Sequence, residues 1–308
     1  MATLLVTDPI FLEHQVPAGH PERPDRLRAI LKALSAEAFA PLVRVAAPEA
    51  GEATLALAHD PGYVAAIRDA VPAEGLVAVD PDTWLSPGSY RAAAHAAGGA
   101  CLAVDEVAAG RARNAFCAMR PPGHHAEPAQ AMGFCLFGNA VIAARHAQKA
   151  HGLGRVAIVD FDVHHGNGTQ AIVWDDPSIL YASTHQMPLY PGTGSPSETG
   201  AGNIVNVPLE PGDGGPEFRA AFAEAVLPAV GGFRPELIVV SAGFDAHWRD
   251  PLASLNLRED DFAFATTALM ELADRHAGGR IVSVLEGGYD LTGLADSAAA
   301  HVAALMAG

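Results

Sequence analysis

Residues 155–170 read RVAIVDFDVHHGNGTQ, and the fold is decided there. Val156, Ala157, Ile158 and Val159 form an apolar run, rich in β-branched side chains, with no polar alternation. A strand buried on both faces of a parallel sheet has this pattern. The run then turns polar at Asp160, Asp162, His164 and His165. Side chains alternate faces along a strand, so Asp160, Asp162 and His164 project the same way if the extension persists. Two carboxylates and an imidazole on one side of a strand end make half of a metal site. A solvated acidic loop is the alternative. The Gly166-Asn167-Gly168 turn that follows suits a tightly shaped site better than a linker.

Outward from this stretch the pattern alternates between strands and helices. Thr3–Thr7 reads as a short first strand. Leu27, Ile30, Leu31 and Leu34 carry helical spacing after a Pro-bounded loop, and Tyr63–Ala70 is a second amphipathic segment. Residues 72–89 are rich in Pro, Gly and Asp and read as a surface loop. Ser89–Ala109 is Ala-rich and helical. Strands are expected at 114–119, 156–160, 179–183, 204–209, 237–241 and 281–285. Helices are expected at 139–149, 217–230 and 260–276 and at the chain's Ala-rich end. This order predicts an α/β chain with a mainly parallel sheet and helices on both faces, in a single domain over 1–308. Ligands bind beyond the carboxyl ends of the strands in such sheets. Polar clusters at 120–127, 160–168, 243–247 and 286–290 all fall at such ends.

The bulk numbers narrow the function classes. The 308 residues are 50% hydrophobic and 18% charged, an ordinary globular composition. A net charge of −16 argues against a phosphate-backbone grip on nucleic acid and is compatible with a cationic substrate. Cys101, Cys117 and Cys135 are odd in number and lack CxxC spacing, which fits a reducing cytoplasm rather than a disulfide framework. No basic, apolar leader opens the chain, and no run of about 18 apolar residues calls for a membrane span.

Asp245 follows the apolar strand at 237–241 and is the natural third ligand for Asp162 and His164. Its alternative is a helix N-cap. Three protein ligands with an open position describe a catalytic divalent site, and two carboxylates with one imidazole favour zinc, with iron(II) or cobalt(II) close behind. His124 and His125, in RPPGHHAEP, are acid/base candidates beside a metal-bound water, and Asp160 and Asn167 are candidates to orient them. Tyr289, after Gly287-Gly288, is placed to donate to an oxyanion. Phe134 and Tyr190 are loop aromatics suited to channel walls. The residues together point to metal-assisted hydrolysis of an amide or related bond. A GxSxG elbow, a P-loop and a GxGxxG fingerprint are absent.

RPPGHHA, DFDVHHGNGTQ, YPGTG, SAGFDAH and LEGGYD, in this order and spacing, resemble the zinc-dependent histone deacetylase superfamily. That group includes bacterial histone-deacetylase-like amidohydrolases and acetylpolyamine amidohydrolases, and the Asn167 and Glu286 positions look like its class II. The resemblance runs from His20 to Asp290. It implies a three-layer α/β/α arginase/deacetylase fold. It also implies one zinc on Asp162, His164 and Asp245, an acid/base pair at His124 and His125, and Tyr289 polarising the acyl carbonyl. Asp160 and Asn167 would buttress the two histidines. A structural potassium is implied near Asp160, Asp162, His164, Ser183 and Thr184. Gly133, Phe134, Tyr190 and Leu252 would line the substrate channel, with Arg26 near an internal acetate pocket. The expected substrate is an acylated lysine of a protein or peptide, because Leu252 stands where polyamine-selective relatives carry an acidic residue. Alternatives are an acetylpolyamine or another small amide, or an acyl-lysine binding module without catalysis. The sequence does not define the oligomeric state.

Overall fold

The computed structural model describes residues 1–308. Ten strands form: β1 (Thr3–Thr7), β2 (Val43–Ala46), β3 (Val77–Asp80), β4 (Thr83–Leu85), β5 (Asn114–Cys117), β6 (Val156–Asp160), β7 (Ile179–Gln186), β8 (Ile204–Leu209), β9 (Leu237–Ala242) and β10 (Ile281–Leu285). Eight of them build one sheet in the order β2-β1-β5-β10-β9-β6-β7-β8. Every neighbouring pair in it is parallel.

The apolar run of 156–159 becomes β6, near the centre of the sheet, with all four side chains fully buried. Full burial of a Val or Ile side chain stabilises by about 1.5–3 kcal/mol, which accounts for the lack of polar alternation. Adjacent residues of β5 show that the sheet is covered on both sides. The Phe116 ring meets His301 of helix Leu291–Ala307 at 5.5 Å. Next to it, the Cys117 thiol points to the Gly99 carbonyl of helix Ser89–Ala108. Helices 24–33, 259–276 and 291–307 pack on one another as one layer, and helices 89–108 and 139–151 pack together on the other face. One contiguous apolar core runs from Leu4 to Leu305. The three-layer α/β/α arrangement expected from the alternating pattern is therefore present.

The register sets the height of the functional edge. Ser241 of β9 is level with Asp160 of β6 on one side and with Val284 of β10 on the other. The loops after these central strands therefore begin at one level, and the loop after β5 joins them from beyond β10.

Two sequence expectations change, and one strand has no counterpart in the sequence reading. Residues 72–89 are not simply a loop: β3 and β4 form an antiparallel hairpin around Pro81-Asp82, too short to stand out from its Pro- and Asp-rich surroundings. The short edge strand β2 has mostly exposed side chains, so it carries no burial signature. The helix expected at 217–230 spans 215–233 but includes a π turn at Phe222–Val226. Pro228 lacks the N–H that would bond back to Glu224, and such a gap in the ladder favours a local change of pitch.

Candidate active site

The extended backbone of β6 ends at Asp160, so pleat alternation does not aim Asp162 and His164. Two successive side-chain turns do so instead. Asp160 Oδ1 accepts the Asp162 N–H at 3.1 Å, and Asp162 Oδ1 accepts the His164 N–H at 2.9 Å. Short acidic side chains close such turns readily. His164 Nδ1 then lies 3.1 Å from Asp162 Oδ1 and 3.2 Å from Asp245 Oδ2. Asp245 caps no helix: the next one starts at Glu259 with Arg258 before it. Its Oδ1 accepts the Val163 N–H at 2.9 Å, which turns the other oxygen toward the histidine.

These three side chains fit a divalent cation. Their donor atoms lie within 4.8 Å of one another, and all three residues are buried. Asp245 Oδ2 is buried and makes no hydrogen bond of good geometry, its nearest partner being His164 Nδ1 at 3.2 Å, so a carboxylate oxygen is left short of a partner that a divalent cation between the two would supply. Asp160, Asp162, Asp245 and Glu286 are all buried at this edge, and burial raises the pKa of Asp160, Asp245 and Glu286, a cost to their charged forms that a cation would relieve. Burial works against a charged His164, yet the two neighbouring carboxylates drive its pKa up to about 10, so the site holds positive charge strongly. Gly287 is required beside it, because a Cβ there would overlap Asp245 Oδ2 and Asp162 Oδ2. Its N–H donates to Asp162 Oδ2 at 2.8 Å.

The loop after β5 brings in the histidine pair, with ring centroids 4.0 Å apart. His124 Nδ1 bonds to Asp160 Oδ2 at 3.0 Å and His125 Nδ1 to Asn167 Oδ1 at 2.8 Å. Both acceptors favour a proton on Nδ1, and His124 Nε2 then lies 3.8 Å from Asp162 Oδ1. The acceptors differ in charge, and the rings differ accordingly. His124 resists the effect of burial because Asp162, Asp160 and Glu286 surround it, and its pKa rises well above the ordinary value. Burial and the neighbouring His124 and His164 push His125 well below it.

A cavity of about 200 Å³ opens above this floor. His125, His164 and Tyr289 lie at its base, and Gly133, Phe134, Leu189, Tyr190, Leu252 and Asp82 form its walls and rim. The wall at Phe134 is held in a rare backbone conformation, with φ of +55° at Gly133 and +68° at Phe134. A non-glycine residue there costs on the order of 1–3 kcal/mol and persists only where its surroundings over-determine it. The hairpin does this: the Gly133 N–H donates to Asp82 Oδ1 at 3.1 Å and the Phe134 N–H to Thr83 Oγ1 at 3.0 Å. The Tyr190 ring meets His125 edge-on at 5.1 Å.

Of the residues singled out in the sequence, Arg26 lies off the channel wall. It is fully buried beneath the site, with its guanidinium 4.9 Å from the Tyr289 ring centroid. Arg26 Nε donates to the Gly288 carbonyl at 2.6 Å and Nη1 to Glu22 Oε1 at 3.0 Å. Ser183 is level with Asp160 in the sheet and bonds to His185, while the buried Thr184 hydroxyl is unpartnered.

Four supporting residues have no role in the sequence reading. Glu22 joins Arg26 to Arg120, whose Nη2 donates to Glu22 Oε2 at 2.7 Å. Glu286 Oε2 accepts the N–H groups of Gly123 at 2.7 Å and His124 at 3.1 Å. Asp250 Oδ2 accepts the Tyr289 N–H at 2.7 Å. Arg120 and Glu286 stand inside the RPPGHHA and LEGGYD motifs, whereas for Glu22 and Asp250 the sequence signal is a charge in HPER and RDPL.

The sequence profile described as "Histone deacetylase domain" matches residues 20–305. Over 278 residues the chain is 43% identical to the histone deacetylase-like amidohydrolase of Pseudomonas aeruginosa, across 88% of this chain and 73% of that protein. It is 38% identical over 315 residues to a probable deacetylase of Archaeoglobus fulgidus, across 100% of this chain and 87% of the relative. Among solved structures, the crystal structure of the HDA15 HD domain matches with a TM-score of 0.94 at 38% identity, over 99% of this chain and 88% of the other. A likeness that takes in the whole sheet takes in the edge where these side chains converge, and the chain belongs to the histone deacetylase family as a hydrolase of amide bonds.

Proposed function

We propose that the chain removes acetyl or related acyl groups from lysine side chains of proteins or peptides, with one zinc ion held by Asp162, His164 and Asp245. The carrying observation is the meeting of a buried Asp245 oxygen that lacks a hydrogen bond with a stacked histidine pair, one ring bonded to a carboxylate and the other to an amide, beneath one narrow cavity. When bound, a divalent cation supplies Lewis-acid polarisation of the acyl oxygen and lowers the pKa of water.

The protein's own groups carry the remaining steps. His125, neutral and open to the cavity through Nε2, takes a proton from the attacking water. The Tyr289 hydroxyl donates to the acyl oxygen as negative charge develops there. The His124–His125 pair returns a proton to the nitrogen of the leaving amine, so the C–N bond breaks to give carboxylate and free amine. Asp160 holds His124 cationic, and Asn167, a neutral acceptor, leaves His125 basic without charging it. Phe134 and Tyr190 grip the aliphatic stem of the substrate and exclude water along it. A structural potassium near Asp160, Asp162, His164, Ser183 and Thr184 finds support in the unpartnered Thr184 hydroxyl.

Leu252 at the cavity rim favours the lysine reading, since its own side chain offers no charge to a polyamine's second amine, and Asp82, the carboxylate at the rim, is engaged by the Gly133 N–H. The test compares kcat/KM of the zinc-loaded protein for acetyl-lysine peptides, acetylspermidine and acetylputrescine. Preference for the peptides is expected. A strong polyamine preference would overturn the substrate assignment, and no acid release from any acylated amine would overturn catalysis itself.

A further inference from the structure

A second group of metal-ligating side chains lies far from the catalytic edge. Asp105 is near the end of helix Ser89–Ala108, and His146 and His151 are on helix Asn139–His151. His151 is the last residue of its helix, just before β6 begins, so the group sits at the amino ends of the strands. The catalytic residues follow the carboxyl ends.

Asp105 Oδ1 lies 2.7 Å from His146 Nε2 and 2.6 Å from His151 Nε2. Two imidazole nitrogens from one helix thus converge on a single carboxylate oxygen of another. Each Nε2–H donates to Asp105 here, but neither Nδ1 has a hydrogen-bond partner in the protein, so each ring can shift its proton to Nδ1 and give the Nε2 lone pair to a cation that takes the proton's place. Asp105 makes no ion pair with any Lys or Arg; Arg111, six residues on, is taken by Glu106. Side-chain exposures of 39% for Asp105, 21% for His146 and 25% for His151 leave water room to complete a coordination shell.

We propose that Asp105, His146 and His151 form a second, peripheral divalent-metal site that clamps helix 89–108 to helix 139–151. Two imidazoles and one carboxylate suit zinc, cobalt(II), nickel(II) or copper(II), and not calcium or magnesium, which want oxygen ligands. The site binds more weakly than the catalytic one, because its imidazoles lack protein groups to orient them and its ligands are partly solvated. Because it lies at the other end of the sheet, its occupancy leaves the turnover rate unchanged.

The test is equilibrium dialysis of the full chain against Zn²⁺ and Co²⁺, with metal counted per chain. The wild type should bind two, H146A/H151A one, and H164A one, retained at the peripheral site. D105N, which keeps the shape of the group but not its charge, should also bind one. H146A/H151A and D105N should deacetylate at the wild-type rate. Excess Zn²⁺ should raise the melting temperature of H164A but not that of H164A carrying H146A/H151A. A wild type that binds one metal, or an H146A/H151A variant that still binds two, overturns the site and leaves a hydrogen-bonded His-Asp-His cluster. Loss of the metal from H164A together with its activity would overturn it equally. Loss of activity alone would concern only the catalytic centre.

Discussion

Asp250 holds Tyr289 by the backbone: its Oδ2 accepts the Tyr289 N–H at 2.7 Å and the Asp290 N–H at 3.3 Å, while Oδ1 accepts the Leu252 N–H at 3.0 Å. One carboxylate thus ties the tyrosine to Leu252 in the lining of the same cavity. D250A strands these N–H groups, and each buried unpaired donor costs about 1–3 kcal/mol. The expected outcome is a lower melting temperature together with a fall in kcat larger than any rise in KM, read by steady-state kinetics. D250N keeps one acceptor oxygen and should recover part of both losses. A D250A variant of full kcat would show that Tyr289 needs no such anchor.

Y289F removes only a hydroxyl, and Arg26 and Phe134 still pack on the ring. Loss of one oxyanion donor typically costs about 10²–10³ in kcat. That drop is expected with metal content and melting temperature unchanged. Full turnover in Y289F with metal bound would remove the hydroxyl from the mechanism.

In the proposed mechanism the histidine pair sets the pH profile. That mechanism needs His125 neutral, and burial beside His124 and His164 lowers its pKa, so the acid limb of kcat/KM is expected below the ordinary imidazole value of 6.5. It needs His124 charged, and Asp162, Asp160 and Glu286 raise its pKa against burial, so the alkaline limb is expected above 6.5. D160N removes one of those charges and the carboxylate acceptor at 3.0 Å. It should therefore move the alkaline limb to lower pH and leave the acid limb nearly in place. An unmoved alkaline limb would separate it from His124.

What the sequence makes legible here is local. The apolar run of β6 declares a doubly covered strand, and polar clusters after β5, β6, β9 and β10 mark one edge, because burial and turn chemistry act over a few neighbouring residues. The direction of Asp162 and His164 is less legible. Their even spacing points to one face of a strand, whereas side-chain turns after the strand's end bring them together. Least legible are partners joined only by the fold. Glu22 meets Arg120 across 98 residues, and Gly123 meets Glu286 across 163. No periodicity links such positions. The hairpin that props Phe134 was hidden for a related reason: its two strands are too short for alternation to rise above a turn-rich composition.

Glu22 is the anion of a fully buried network with Arg26 and Arg120. Removing one partner of a buried pair leaves unpaired charge and costs about 3–5 kcal/mol, against about 0–1 kcal/mol for a surface pair such as Arg28–Asp25. E22A is expected to lose stability on that scale in urea unfolding, and E22Q somewhat less. Burial would raise the Glu22 pKa, but Arg120, His14 and Arg26 together hold it well below 4.5. A depressed carboxyl stabilises the fold above its unfolded pKa, and that contribution is lost as pH falls through the folded one. Wild type should therefore lose its advantage over E22Q only below about pH 4.5. An advantage that vanished near neutrality would contradict the network.

Leu252 sits on the rim of the cavity, where a side chain meets the part of the substrate beyond the acyl-amine stem. An acidic group there would face the second amine of a polyamine but only the neutral backbone of a peptide. The rim is open to solvent, so one such pair is worth about 0.2–1 kcal/mol, less than a desolvated pair would give. L252E should thus raise kcat/KM for acetylspermidine relative to an acetyl-lysine peptide by up to about fivefold. The gain should shrink as salt rises, because solvent-exposed charges are screened over about 8 Å at physiological ionic strength. Parallel assays of both substrates in low and high salt read the two effects together. An unchanged ratio would mean that selectivity is set deeper, between Phe134 and Tyr190, where shape rather than charge discriminates.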